Sequence, residues 1–332
     1  MDGKQLHSEA LVWDAHRDVA YEAPLAERFL ERWMIGIDLH LPRLKQGGIN
    51  VQTYALCIGP EIGFNYPAQA LKELDRVFAI LEENSNEVVL VTKTAEALQA
   101  KQQGKIAVFL NFEGGEPILT ELGLLRIFYR LGFRAMGLTW NYRNDIADGG
   151  YEGREGGGLS QFGISVIKEM NRLGMVIDLA HLAPKGMMDI LRISDQPVIH
   201  SHGGVRACNP GHPRTLDDTM LEAIAQNGGL FCATTVPQSI SADPEKATLE
   251  NYLDVIDHAV RVMGVDHVGL GADFDVYQSH LPYAIGNWTE GIEEANHWPR
   301  ITEGLLNRGY SEVAVRKILG ENLLRVYQKV VG

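Results

Sequence analysis

Eight times along this chain a short apolar run with strand character recurs, and after every run but the first a stretch of helical periodicity follows. The runs are Leu11–Asp18, Ile49–Ile58, Lys105–Phe112, Ala135–Trp140, Met175–His181, Val198–His202, Gly229–Thr234 and His267–Asp273. Between them, apolar residues fall three or four apart, as in Leu71, Leu74, Val77, Phe78 and Leu81. Helices are thereby predicted over Pro67–Glu83, Ser160–Leu173, Pro184–Arg192, Leu216–Gln226 and Leu249–Met263. Thr94 is placed to cap a further short helix ending near Gly104, and Asp38–Leu44 reads as a helical turn. Strands alternating with helices predict a parallel sheet, and eight such units predict a closed (β/α)8 TIM barrel. The alternative is an open doubly wound sheet, but no glycine-rich phosphate loop follows the first strand. The expected organisation is one barrel over residues 1–332, with a helical extension from about 297 to 331.

Charge and composition exclude several classes of partner. The net charge is −13 and no Lys/Arg-rich block occurs, which argues against nucleic acid and anionic membranes as partners. No apolar run approaches the roughly 18 residues of a membrane span. The opening Met1-Asp-Gly-Lys-Gln-Leu6 lacks the apolar core of a secretion signal. Cys57, Cys208 and Cys232 are odd in number and far apart, so they read as buried thiols rather than a disulfide framework. The expected location is cytoplasmic.

In a barrel of this kind chemistry sits at the C-terminal ends of the strands. His16 and Asp18 end the first run, Glu113 follows the third, His181 ends the fifth, His202 the sixth and Asp273 the eighth. Period-two alternation predicts Asp14, His16 and Asp18 on one face of their strand. His and carboxylate suit zinc, manganese or cobalt. Three histidines and two carboxylates exceed the needs of one tetrahedral ion and suit two, about 3.5–4 Å apart, activating water between them. Glu113, alone on its strand and followed by two glycines, is the natural bridge, and Asp273 is placed to take the proton of that water and pass it to a leaving amine. His200 competes with His202, since alternation puts both on one face, with His200 a layer deeper. Asp14 lies below His16 and could orient a ligand. Arg214, in the loop after the sixth strand, suits a bidentate clamp on a substrate carboxylate, or else an ion pair with Asp217 or Asp218. The polar, glycine-rich segment Asn141–Gly158 reads as a long loop over the site. His7, His40, His258 and His267 read as structural or exposed.

Taken in order, Asp14-Ala-His-Arg-Asp18, Leu41-Pro-Arg-Leu-Lys-Gln-Gly-Gly48, Phe112-Glu-Gly-Gly115, Asp178-Leu-Ala-His181, Ser201-His202 and Gly271-Ala-Asp-Phe-Asp275 resemble the membrane (renal) dipeptidase family. Gly320-Glu-Asn-Leu-Leu-Arg-Val326 fits that family's C-terminal helix. The resemblance spans nearly the whole chain. It implies a barrel that hydrolyses dipeptides with two zinc ions, His16 and Asp18 on one, His181 and His202 on the other, and Glu113 between. It also implies Asp273 in proton transfer, Arg214 on the substrate carboxylate, tolerance of a C-terminal D-residue, and a homodimer. Three positions depart from the family's pattern. Thr139-Trp140-Asn141 stands where Thr-His-Asn is usual, Glu116 replaces a histidine after Glu-Gly-Gly, and Val276 replaces a glycine. Trp140 cannot replace an imidazolium, although Asn141, Arg143 or Asn144 could donate to a developing oxyanion. The reshaped pocket leaves another amide or a lactone as an alternative substrate, and a metal-binding barrel without turnover as a further one.

Overall fold

A computed structural model describes residues 2–21, 41–58, 65–153, 156–274 and 289–332. His40, Val276, Asp275 and the first part of the turn expected at Asp38–Leu44 lie outside the described residues; 41–46 are helical. Among the described residues nine parallel strands form one sheet: β1 (Trp13–Tyr21), β2 (Val51–Cys57), β3 (Val88–Leu90), β4 (Ile106–Glu113), β5 (Phe133–Gly137), β6 (Val176–Asp178), β7 (Ile199–Gly203), β8 (Leu230–Ala233) and β9 (Val268–Leu270). Eight of them run in chain order, β1-β2-β4-β5-β6-β7-β8-β9, and β3 hangs off β4. The segment after β9 returns to β1, where Asp273 N donates to His16 O at 3.2 Å. The result is a nearly closed (β/α)8 barrel. The eight expected strands are these eight. The three-residue β3 was not legible, because so short a piece carries no period.

Side-chain alternation divides the apolar residues into two bodies. The outer one lies between strands and helices and includes Tyr54, Leu110, Phe112, Phe231 and Leu270. The inner one fills the barrel with Trp13, Ala15, Val51, Phe109, Ala135, Val176, Ile199, Leu230 and Cys232. Its floor is the helix Asn322–Val330, whose Leu323, Val326, Tyr327 and Val330 join the inner body. Trp13 stacks on Phe109 with ring centroids 5.2 Å apart, and Tyr327 meets both at 4.7 and 5.0 Å. Asn322 fixes this helix by donating to the carbonyls of Val265 and Val268 at 2.7 and 2.8 Å. Among these rings Trp13 Nε1 donates to Thr53 Oγ1 at 3.1 Å.

Two strands break their alternation at the rim. In β1, Asp14 pairs with Gln52 but Arg17 with Tyr54, so three steps on one strand match two on the other. In β7, His200 pairs with Phe231 but Gly203 with Ala233, the same excess of one residue. These are β-bulges, and each reverses the facing of the residues beyond it. The expectation that Asp14, His16 and Asp18 share a face is therefore corrected. Trp13, Ala15, His16 and Asp18 point inward, whereas Asp14 and Arg17 act on Tyr54 in the outer layer. His200 and His202 are likewise parted: His200 packs on Phe231 outside, and His202 enters the barrel. No period-two reading could have anticipated either change.

The helices fall where periodicity put them, with Leu249–Met263 matched at both ends. Ser160 caps Gln161–Leu173 by accepting from Gly163 N at 2.9 Å. Thr94 is not a cap. Lys93 holds that position, and Glu96 reaches back to accept from Thr92 N and Lys93 N at 2.7 and 3.1 Å. The Thr94 hydroxyl instead donates to the C-terminal Gly332 carbonyl. His7 is structural, bonded to Thr302 Oγ1 and Gly47 O at 2.7 and 2.8 Å.

Candidate metal centre

Five strand ends deliver acidic and imidazole groups to one point. His16 Nε2 lies 3.6 Å from Asp18 Oδ1, 3.6 Å from Glu113 Oε1 and 3.7 Å from Asp273 Oδ1. Glu113 Oε1 is 2.6 Å from His181 Nε2 and 3.5 Å from His202 Nε2. The two imidazole nitrogens of His181 and His202 are 2.9 Å apart. Asp273 Oδ2 closes the ring 4.0 Å from His202 Nε2. Glu113 Oε1 thus lies within 3.6 Å of all three histidines. Within the cluster, His16, Glu113 and His202 form one group of ligand atoms lying within 4.8 Å of one another, and His16, Asp18 and Asp273 form another.

Backbone and neighbours hold these groups in place. His181 and Asp273 both adopt left-handed backbone, at φ 66° and 61°, a strained choice for non-glycine residues. The His181 carbonyl accepts from Gly150 N at 2.6 Å and Thr139 Oγ1 at 3.3 Å, so the long glycine-rich loop does dock at the site. Asn141 Oδ1 accepts from His181 Nδ1 at 2.9 Å, which leaves Nε2 as the lone-pair donor. Ser201 Oγ meets His202 Nδ1 at 2.9 Å. Beneath them Asp178 Oδ1 accepts from Ala180 N and Ser201 N, both at 3.0 Å, pinning the chain beside each ring. Asp14 Oδ1 accepts from Ala272 N at 2.9 Å and His16 N at 3.3 Å, joining the last segment to the first. Asp14 therefore orients the His16 backbone rather than its ring.

The electrostatics ask for cations. Burial lowers His181 and His202 well below the ordinary imidazole value, with Arg214 and His16 adding to the effect. Burial also opposes charge on His16, yet Glu113, Asp18 and Asp273 together hold that ring up at about 10. Asp18 is pushed up to about 6 by burial and by Glu113, and Asp273 well above the usual carboxylate range by burial, Asp18 and Glu113. His16 Nδ1 and Nε2 and Asp18 Oδ1 are buried and find no hydrogen-bond partner. Crowded lone pairs, orphaned nitrogens and oxygens, and carboxylates resisting ionisation together fit a divalent metal donor set.

Arg214 is turned inward. Its Nη2 lies 2.9 Å from His202 Nε2, which puts the guanidinium at the histidine–carboxylate cluster rather than on the surface. The two acids expected as its alternative partners have other work: Asp217 caps the helix Asp218–Gln226 and Asp218 meets His258 at 2.6 Å. Burial lowers the Arg214 guanidinium, with Asp273 and Glu113 opposing. The Trp140 ring faces His181 at an interplanar angle of 28°, centroids 6.1 Å apart. Of the expected oxyanion donors, Arg143 is spent on Asp148 and Asn144 donates to Glu116 Oε1 and the Leu138 carbonyl.

Against known families, residues 2–331 match the description of the membrane dipeptidases, peptidase family M19. The chain belongs to that family. It is 32% identical to dipeptidase tcpJ of Claviceps purpurea over 96% of this chain and 76% of that one. It is 33% identical to dipeptidase verJ of Clonostachys rogersoniana over 87% and 75%. Among solved structures, an amidohydrolase from Pseudomonas aeruginosa superposes with a TM-score of 0.87 at 26% identity, covering both chains fully. The fold is also that of a Rhodobacter sphaeroides metallopeptidase bound to a phosphinate mimic of L-Ala-D-Ala, with a TM-score of 0.82 at 23% identity, over 97% of this chain and 99% of that one. Among the described residues no helix is long and apolar enough to cross a membrane.

Sequence reasoning missed Ser201 and Asp178 as supports and Cys57 as a neighbour. Cys57 pairs in register with Glu113, and burial pushes its thiol well above the ordinary range. Ser201 and Asp178 stood within the quoted motifs, where only their adjacency to histidines marked them.

Proposed function

We propose that this chain is a metal-dependent dipeptidase working with two divalent ions, zinc in the first instance. The observation that carries it is the shared carboxylate: Glu113 Oε1 within 3.6 Å of all three histidines, with Asp18 and Asp273 at the edge. His16 and Asp18 would hold one ion, His181 and His202 the other, with Glu113 common to both. Such ions, when bound, polarise the scissile carbonyl and lower the pKa of water. Everything else falls to the protein. Arg214, buried beside His202, suits the free carboxylate of a dipeptide and so fixes its register. Asp273 takes one proton from the attacking water and delivers it to the departing amine, so peptide plus water becomes acid plus amine. Asn141 and Ser201 keep the two imidazoles from rotating, and Trp140 walls the site on the His181 side.

The same reading treats residues 1–332 as one catalytic unit, the helices from about 297 to 331 included, and this rests on Tyr327 packing against Trp13. It includes a cytoplasmic location, supported by three free cysteines. A homodimer belongs to the same proposal and rests on the family resemblance alone. A second reading, an amide or lactone other than a plain dipeptide, is favoured by Trp140 at a position where the family has histidine. Hydrolysis of an L,L and L,D dipeptide panel by zinc-loaded protein, with metal content measured on the same sample, tests the proposal. Turnover with about two ions per chain is expected. Bound metal without dipeptide turnover favours the second reading, and protein that binds no metal overturns both.

A further inference from the structure

Two of the three departures from the family's pattern, Glu116 and Trp140, line one cavity beside the metal centre. It measures about 360 Å³, within the range of small-molecule sites, about 300–1,000 Å³. Aromatic and acidic side chains line it together with Leu119, Ile146, Arg143 and Asn144. Trp140 and Tyr142 stand edge to face with centroids 6.3 Å apart, and Tyr66 also lines the cavity. Glu116 and Asp145 bring two carboxylates, while the guanidinium of Arg143 is held by Asp148 through Nε and Nη2 at 2.5 and 2.8 Å. Asn144 Nδ2 donates to Glu116 Oε1 at 3.0 Å and fixes that carboxylate. Trp140 borders both the cavity and the cluster, its ring lying 6.1 Å from that of His181. Leu119, on its lip, has φ 49° and is the third left-handed non-glycine residue of the described chain; the other two are His181 and Asp273. Strained backbone gathers where a protein holds a ligand.

Aromatic faces carry negative potential, and a carboxylate beside them adds to it. This combination attracts an ammonium or guanidinium and gives a neutral chain of equal length no such gain. We infer that the cavity between Trp140 and Glu116 is a subsite for a cationic side chain, so that the preferred dipeptides carry a lysine- or arginine-like residue. This rests on the dipeptidase reading and adds a substrate class to it. Glu116 and Trp140 act here as specificity residues, binding the side chain away from the bond that breaks.

The test uses the full-length, metal-loaded protein and two pairs of dipeptides matched in length, Lys-Ala against norleucine-Ala and Ala-Lys against Ala-norleucine. In one pair the cationic member should be favoured about tenfold in kcat/KM, mainly through KM. Glu116→Gln and Trp140→Leu should each bring that ratio close to one, while Trp140→Phe keeps most of it. Equal or better use of norleucine in both pairs, or a preference that survives Glu116→Gln, overturns the inference and leaves the dipeptidase reading standing. If neither pair is cleaved, the dipeptidase reading fails, and binding decides the subsite alone. Saturable quenching of tryptophan fluorescence by n-butylammonium but not 1-butanol, with Trp140→Phe removing the signal, supports it; equal response to both probes overturns it.

Discussion

Gly271 offers the sharpest test of how the barrel closes on its site. A Cβ added there would lie 3.0 Å from the Ser201 carbonyl carbon and far inside contact distance of its oxygen. Neither partner can retreat cheaply. Ser201 N is held by Asp178, Ala272 N by Asp14 and Asp273 N by His16 O. Relief of a clash between two backbones requires a separation of β7 from the segment after β9 on the order of 1 Å. That strain costs about 1–3 kcal/mol, and loss of the Ala272–Asp14 bond adds about 1 kcal/mol or more. The same shift moves Asp273 and His202 out of register with each other, and 1 Å of misplacement is worth about 10²-fold in rate. Gly271→Ala should therefore lower kcat/KM about a hundredfold and Tm by several degrees, read by dipeptide hydrolysis and thermal unfolding of the zinc-loaded protein. Gly269→Ala is the control. Its Cβ would meet Cys232 Sγ and Leu230 Cδ2 at 3.1 and 3.2 Å, side chains that can give way. Wild-type activity and Tm in Gly271→Ala, or an equal loss in Gly269→Ala, would refute the argument from backbone contact.

Three further outcomes rest on the same geometry. Asp273→Asn should keep its metal content and lose about 10²–10⁴ in kcat, and an unchanged kcat removes Asp273 from proton transfer. Arg214→Ala should raise KM for dipeptides and do little to the corresponding C-terminal amides; equal losses on both make the arginine structural. Chelation should abolish turnover and lower Tm, because ligands that bind only the folded state stabilise it, by about 2.7 kcal/mol at a hundredfold excess over Kd. Zinc added back should restore both, and chelated protein with unaltered Tm would mean that the cluster does not bind ions in the folded chain.

The barrel was legible because eight apolar runs and their helical partners each carry a period that survives in the sequence. That Glu113, His181 and Asp273 meet at one point was legible by position alone, since they stand at or just beyond strand ends on one rim of the barrel. Choosing His202 over His200 was a choice between two residues of equal parity, and only the bulge at Ser201–His202 separates them. The role of Asn141 was hidden for a different reason: a side chain forty residues away in sequence meets His181 through a loop with no period. The cavity at Trp140 and Glu116 showed itself in sequence only as two unrelated departures from a pattern.

The bulges at Ala15–His16 and Ser201–His202 bear on anyone who would idealise this barrel. A redesign that gave β1 and β7 unbroken ladders would gain regular pairing and improve every measure of sheet quality. Along β1 it would also turn His16 and Asp18 toward the helices and bring Arg17 in among Glu113 and Asp273; along β7 it would send His202 outward as well. A more regular protein would thus be an inert one, and irregularity is the feature to copy when such a site is transplanted to another scaffold.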